Sequence, residues 1–112
     1  MPSYFRLQDL TEQTATGSQR IEEAIDVSAF KTLTVQTRVP GNSSGTTTLI
    51  LEHAAVLDED AFADVATFSV DLTNDSNDVE VVSDTLRYVR WKISAFGTGT
   101  AKFMIDIIAR EN

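Results

Sequence analysis

The stretch LRYVRWKISAFGTGTAKFMIDIIAR, residues 86–110, decides the fold. In its first arm Val89, Trp91, Ile93 and Ala95 share one face, and Tyr88, Arg90, Lys92 and Ser94 share the other. That period of two is the mark of a half-buried β-strand. The second arm repeats it through Ala101, Phe103, Ile105, Ile107 and Ala109. Gly97 and Gly99 lie between the arms, where paired strands commonly need positive φ, so the pattern predicts an antiparallel hairpin.

Working outward, Lys31 to Val39 alternates in the same way, with Leu33, Val35, Thr37 and Val39 inward and Thr32, Thr34, Gln36 and Arg38 outward. Pro40 to Gly45 (PGNSSG) has turn chemistry, and Thr46 to His53 resumes the alternation, so these two strands are expected to form a second hairpin. Ala54 to Ala61 (AAVLDEDA) reads as an acidic loop or a single helical turn, and Phe62 to Leu72 as a further strand. Thr73 to Asp78 (TNDSND) is turn-forming, because Asn, Asp and Ser side chains bond to nearby backbone. A short strand follows from Val79 to Ser83.

Upstream, Arg20 to Val27 fits helical spacing through Ile21, Ala24 and Ile25 and alternation through Ile21, Glu23, Ile25 and Val27. A strand is preferred, since eight residues are too few for a stable helix. Thr11 to Gln19 has the composition of a loop, and Tyr4 to Leu10 is a short strand or an extended arm. The expectation is an all-β chain: one antiparallel β-sandwich domain over residues 1–112, jelly-roll-like, with seven or eight strands and residues 1–20 readable as an N-terminal arm.

Composition narrows the function. At 42% hydrophobic and 23% charged, the chain belongs with globular domains and not with disordered sequences. It carries 17 acidic against 9 basic residues, a field that repels phosphate backbones, so a nucleic-acid partner is not expected. No apolar run is long enough to span a bilayer, and MPSYFRLQDL lacks the basic and apolar regions of a signal peptide. No membrane partner is expected, and synthesis is expected in the cytoplasm. The absence of cysteine excludes disulfides, thiolate metal sites and thiol nucleophiles.

His53 is the sole histidine, at the end of an apolar alternation, and reads as a packed or rim residue. Asp58, Glu59, Asp60 and Asp64 could supply paired carboxylates for glycoside hydrolysis, yet no apolar pocket near them would split their pKa values. Calcium is the sharper reading of the acids, through Asp58, Asp60 and Asp64 or through Asp71, Asn74, Asp75, Asn77 and Asp78. Neither group has EF-hand spacing, and ordinary turn chemistry accounts for both. Trp91 and Tyr88 point to opposite faces of one strand, so they do not form a sugar platform, and Trp91 is expected in the core. The expectation is no enzyme, no catalytic residue, no metal and no cofactor.

The outward row of the last strand, Lys102, Met104, Asp106, Ile108 and Arg110, is mixed where a solvated face would be polar. Met104 and Ile108, with Tyr4, Phe5 and Leu7 of the N-terminal segment, are the candidate interface residues.

The order DVSAFKTLTVQTRV, GTTTLILEHA and LRYVRWKISAFGTGTAKFMIDIIA resembles small β-sandwich structural proteins of tailed phages, through the turn Asp26 to Phe30 and the segment Tyr88 to Ala101. The resemblance covers about the last three quarters of the chain. It implies a non-enzymatic virion subunit, such as a capsid decoration protein, head-fibre base or tail-associated subunit. Such a subunit is made in the host cytoplasm and acts by repeated contact with its own copies and with a capsid or tail protein. The alternative is a carbohydrate-binding module that takes a glycan, with calcium in the acidic loops.

Overall fold

A computed structural model describes residues 2–13, 16–40, 48–68, 76–95 and 101–111. These contain nine strands: β1 (Ser3–Gln13), β2 (Gly17–Ser18), β3 (Ile25–Asp26), β4 (Thr32–Val39), β5 (Thr48–Ala54), β6 (Ala63–Phe68), β7 (Ser76–Ser83), β8 (Tyr88–Ala95) and β9 (Ala101–Arg110). They form two antiparallel sheets. One has four strands in the order β1-β9-β4-β7; the other runs β2-β8-β5-β6, with β3 also paired to β8.

The alternation in residues 86–110 locates two strands correctly, but the expected hairpin does not form. β8 pairs with β2, β3 and β5, whereas β9 pairs with β1 and β4, so the chain changes sheets between Ala95 and Ala101. The two apolar rows meet across the core: the Trp91 and Phe103 rings pack edge to face, 5.0 Å apart at 84°. β4 and β5 likewise sit in opposite sheets, and the second expected hairpin is corrected in the same way. Alternation says which face of a strand is buried and is silent about its partner. Facing rows in two layers satisfy the same pattern as neighbouring rows in one. The connections expected at 41–45 and 97–99 lie outside the described residues, as do Asp71, Asn74 and Asp75.

Three further expectations change. Residues 3–13 are a full edge strand along β9, with two irregularities of register, so of the two readings of Tyr4 to Leu10 the strand is the one that forms, and it runs three residues into the expected loop. Residues 20–27 contain a 3-10 turn at Ile21–Glu23 before the two-residue β3, and only Val27 at their end is buried, its N–H donating to the Arg87 carbonyl. Ser76, Asn77 and Asp78, expected in a turn, belong to β7, where cross-strand pairing with β4 outweighs their turn preference.

The core lies between the sheets. Leu33, Val35, Thr37 and Val39 of β4 face Leu49 and Leu51 of β5, and Phe103, Ile105 and Ile107 of β9 face Val89, Trp91 and Ile93 of β8. Each large apolar side chain taken from water here contributes about 1.5–3 kcal/mol relative to exposure.

Candidate functional site

The outward side of the four-stranded sheet is where surface chemistry collects. β1, β9, β4 and β7 are in register such that Tyr4, Ile108, Thr34 and Val81 form one row across all four strands. The next row is Arg6, Asp106, Gln36 and Val79, followed by Met104, Arg38 and Asn77. Tyr4 is 56% exposed, Val79 53% and Val81 67%, while Met104 and Ile108 are half-buried between their neighbours. β-branched side chains at 79, 81 and 108 suit a pleated sheet, but those of Val79 and Val81 stay largely uncovered by the described residues. A shallow cleft of about 280 Å³, lined by Arg38, Val39, Pro40, Ser76, Asn77 and Met104, closes one end of this face.

Asp106 organises the middle of it. Its Oδ1 accepts from the Tyr4 hydroxyl at 2.6 Å and from Arg6 Nε at 2.8 Å, and Arg6 also reaches Asp9 at 3.3 Å. Partial burial alone would raise the Asp106 pKa. The hydrogen bonds from Arg6 and Tyr4, with the charges of Arg6 and Arg38, outweigh burial and hold it below the usual carboxylate range. The same hydrogen bond from its hydroxyl to Asp106 pushes the Tyr4 phenol up. Tyr4 is therefore fixed in place while its ring stays exposed.

The outward side of the five-stranded sheet is different. Arg90 on β8 and Glu52 on β5 stand opposite each other and are both buried, with Arg90 Nε donating to Glu52 Oε1 at 2.9 Å. Arg90 also donates to the Gln19 carbonyl and to both carboxylate oxygens of Glu59, and its guanidinium lies 4.0 Å from the Phe62 ring centroid. These bonds draw the 3-10 turn Glu59–Ala61 and the segment at Gln19 down over the sheet. Beside them Lys92 Nζ contacts Asp64 at 2.6 Å, and that hydrogen bond raises its pKa.

The expected site residues divide accordingly. Tyr4, Met104 and Ile108 lie on the outward face. Phe5 and Leu7 face inward: Phe5, half-buried, packs edge to face on Phe30 at 5.7 Å against the core, and Leu7 is a core residue, so neither belongs to the outward face. Val79 and Val81 were not singled out from the sequence; a short strand flanked by turn formers gave no reason to assign their face. The signal lay in the register with β4.

Of the first acid group read for calcium, Asp58 Oδ1 accepts from the Asp60 N–H and Asp64 binds Lys92; Glu59, read with them as a possible paired carboxylate, binds Arg90. Among the described residues no three acids or histidines converge as metal ligands. His53 is half-buried, and its Nδ1 accepts from the Leu86 N–H at 3.1 Å, tying the turn before β8 to the end of β5. Trp91 borders a cleft of about 260 Å³ with Gln8, Gln19 and Arg20. Its indole N–H is bonded to Gln8 Oε1 and the residue is 5% exposed, so no ring face is open for a sugar. No helix among the described residues is long and apolar enough to cross a membrane.

No family model and no curated protein matches the chain. Its fold is similar to that of SPBc2 prophage-derived protein YomS, known from a crystal structure, with a TM-score of 0.56 and 16% identity over 96% of this chain and 93% of that one.

Proposed function

We propose that the chain is a non-enzymatic structural subunit of a tailed-phage or prophage-derived particle, a capsid decoration protein or another head or tail accessory subunit. The fold it shares along nearly its whole length with a prophage-derived protein carries this reading. The outward face of the four-stranded sheet supports it, because Val79 and Val81 on β7 and Tyr4 on β1 leave large apolar surface exposed on a folded face, as protein contacts do. In this reading Tyr4, Ile108, Val79 and Val81 bury their exposed surface against a neighbouring subunit, and Met104 extends the contact toward the cleft. The protein then resides in the virion, needs no cofactor and performs no chemistry.

The test is purification of particles from a producing culture, with the chain quantified against the major shell protein. Retention at a fixed stoichiometry through a density gradient is expected. Recovery only in the particle-free fraction would overturn the reading. Val81→Asp, which places a charge in the exposed row without touching the core, should reduce retention about tenfold or more, the scale of a central interface residue.

A further inference from the structure

An open sheet ends in strands whose outer backbone groups lack a partner, and proteins blunt such edges with bulges, short strands, proline or lysine. Most edges of this molecule carry such a device. β1 pairs with β9 through two irregularities of register, the β5–β6 ladder shifts register between Leu51 and Glu52, and β2 and β3 are two residues each. β7 differs. It pairs with β4 residue for residue from Ser76 to Ser83 without a bulge, and its sequence SNDVEVVS has no proline, glycine or lysine. Among the described residues β4 is its one hydrogen-bonded neighbour.

The side chains of β7 suit pairing with a second β7. Asn77, Val79, Val81 and Ser83 are exposed on the outward side, while Ser76, Asp78 and Glu80 are half-buried and Val82 is buried on the inward side. Two strands paired antiparallel about a two-fold axis set residues of the same face against each other. In the register with Glu80 on the axis, Val79 of each copy faces Val81 of the other, so the exposed valines cover one another. Asp78 then faces Val82. Sliding the pair by two residues would set each Asp78 against a Glu80, two like-charge contacts in place of one. The one that remains is Glu80 against its own copy. It is moderated within the chain, because the hydrogen bond to Asp78, with partial burial and the Asp78 charge, raises the Glu80 pKa. The residues opposite these acids on β4, Thr37 and Val35, carry no charge, and the one charged residue of β6, Asp64, is bound to Lys92.

We propose that β7 is a self-pairing edge, through which two copies of this chain join antiparallel about a two-fold axis at Glu80 and merge their four-stranded sheets into one. The inference goes beyond the particle reading and does not need it, since the surface is an edge and the partner is the chain itself. The contact is isologous, so it closes with two copies. Residues 77–83 span about 23 Å of strand, a narrow contact, and the dimer is therefore expected to form with rising protein concentration.

A chain without cysteine makes the register directly readable. Facing Cα atoms in an antiparallel pair lie about 4.5–5.5 Å apart, within reach of a disulfide. Glu80→Cys should give a disulfide-linked dimer on mild oxidation, seen on a non-reducing gel. Asn77→Cys should stay monomeric although position 77 is the more exposed, because its two copies lie about 20 Å apart in this register.

Charge at the exposed valines gives a second measurement, by sedimentation equilibrium. Val79→Lys/Val81→Lys sets lysine against lysine and should weaken dimerisation about tenfold, even though it lowers the net negative charge that keeps copies apart. Val79→Glu/Val81→Lys sets opposite charges face to face and should recover most of the loss. Circular dichroism confirms that each variant is folded.

A wild type that stays monomeric as concentration rises, equal disulfide yields from the two cysteine variants, or equal dimerisation of the two charge variants overturns the pairing. Retention in particles is read separately. A chain retained in particles that never dimerises overturns this inference alone, and a chain that dimerises but is absent from particles overturns the structural reading alone.

Discussion

The two sheets solve the problem of their outward sides in opposite ways. In the four-stranded sheet β9 alternates buried and half-buried residues from Ala101 to Ala109, and its outer row stays open. In the five-stranded sheet β5 is buried on both faces from Leu49 to Glu52, because the turn at Glu59–Ala61 and the segment at Gln19 are pulled over it. The comparison separates surface that is finished within the chain from surface left for another molecule. The finished side contains a buried ion pair; the open side contains exposed valines and a tyrosine.

The largest effect that could break this contrast is at Arg90. Arg90→Ala leaves Glu52 buried without its main partner and releases Glu59 and Phe62, and should cost about 3–5 kcal/mol in urea denaturation. Lys92, 3.5 Å from Glu52, reaches only its second oxygen and will not fully compensate. A loss under about 1 kcal/mol would mean that the cover is not held by this clamp.

Neighbouring isoleucines on β9 sharpen the same contrast. Ile107 is fully buried, so Ile107→Ala should cost about 2–5 kcal/mol, whereas Ile108→Ala on the open row should cost about 1 kcal/mol or less. Equal losses would show that Ile108 is packed within the chain.

The smaller effects are electrostatic and can be followed as melting temperature against pH. The Asp106 pKa is depressed in the fold, so its contribution is present above the unfolded carboxylate value, about 3.9, and is lost as pH falls through the folded value. Asp106→Asn should therefore lower stability at neutral pH and flatten its decline in acid. Glu80 on β7 has the opposite sign: its hydrogen bond with Asp78, then partial burial and the Asp78 charge, raise its pKa. The fold binds that proton more tightly than the unfolded chain does, so a penalty builds as pH rises through the raised value. Glu80→Gln should raise the melting temperature slightly near neutral pH and leave it unchanged in strong acid.

Much of this architecture was legible in residue order, though unevenly. The inward rows of β4, β8 and β9 follow from a period of two, and Trp91 and Phe103 take the core positions that the period assigns them. Partnership was not legible, because Val89, Trp91 and Ile93 can bury the same surface against a neighbour in their sheet or against the sheet opposite. Glu52 and Arg90 were not readable as buried either, since charged residues on a strand normally mark a solvated face and their cover comes from elsewhere in sequence. On the open face Met104 and Ile108 stood out within one strand. Val79 and Val81 became visible only once pairing with β4 placed them in line with Ile108.

The pairing of β1 with β9 also governs the order in which the molecule can be made. β1 leaves the ribosome well before β9, the strand that satisfies its backbone, and β4 likewise precedes both of its partners, β7 and β9. At roughly 5–20 residues per second, β1 spends about 5–20 s without its partner. Phe5 and Leu7 are exposed throughout that interval, so a nascent chain stalled before Ala101 is the form most open to aggregation and to capture by a chaperone.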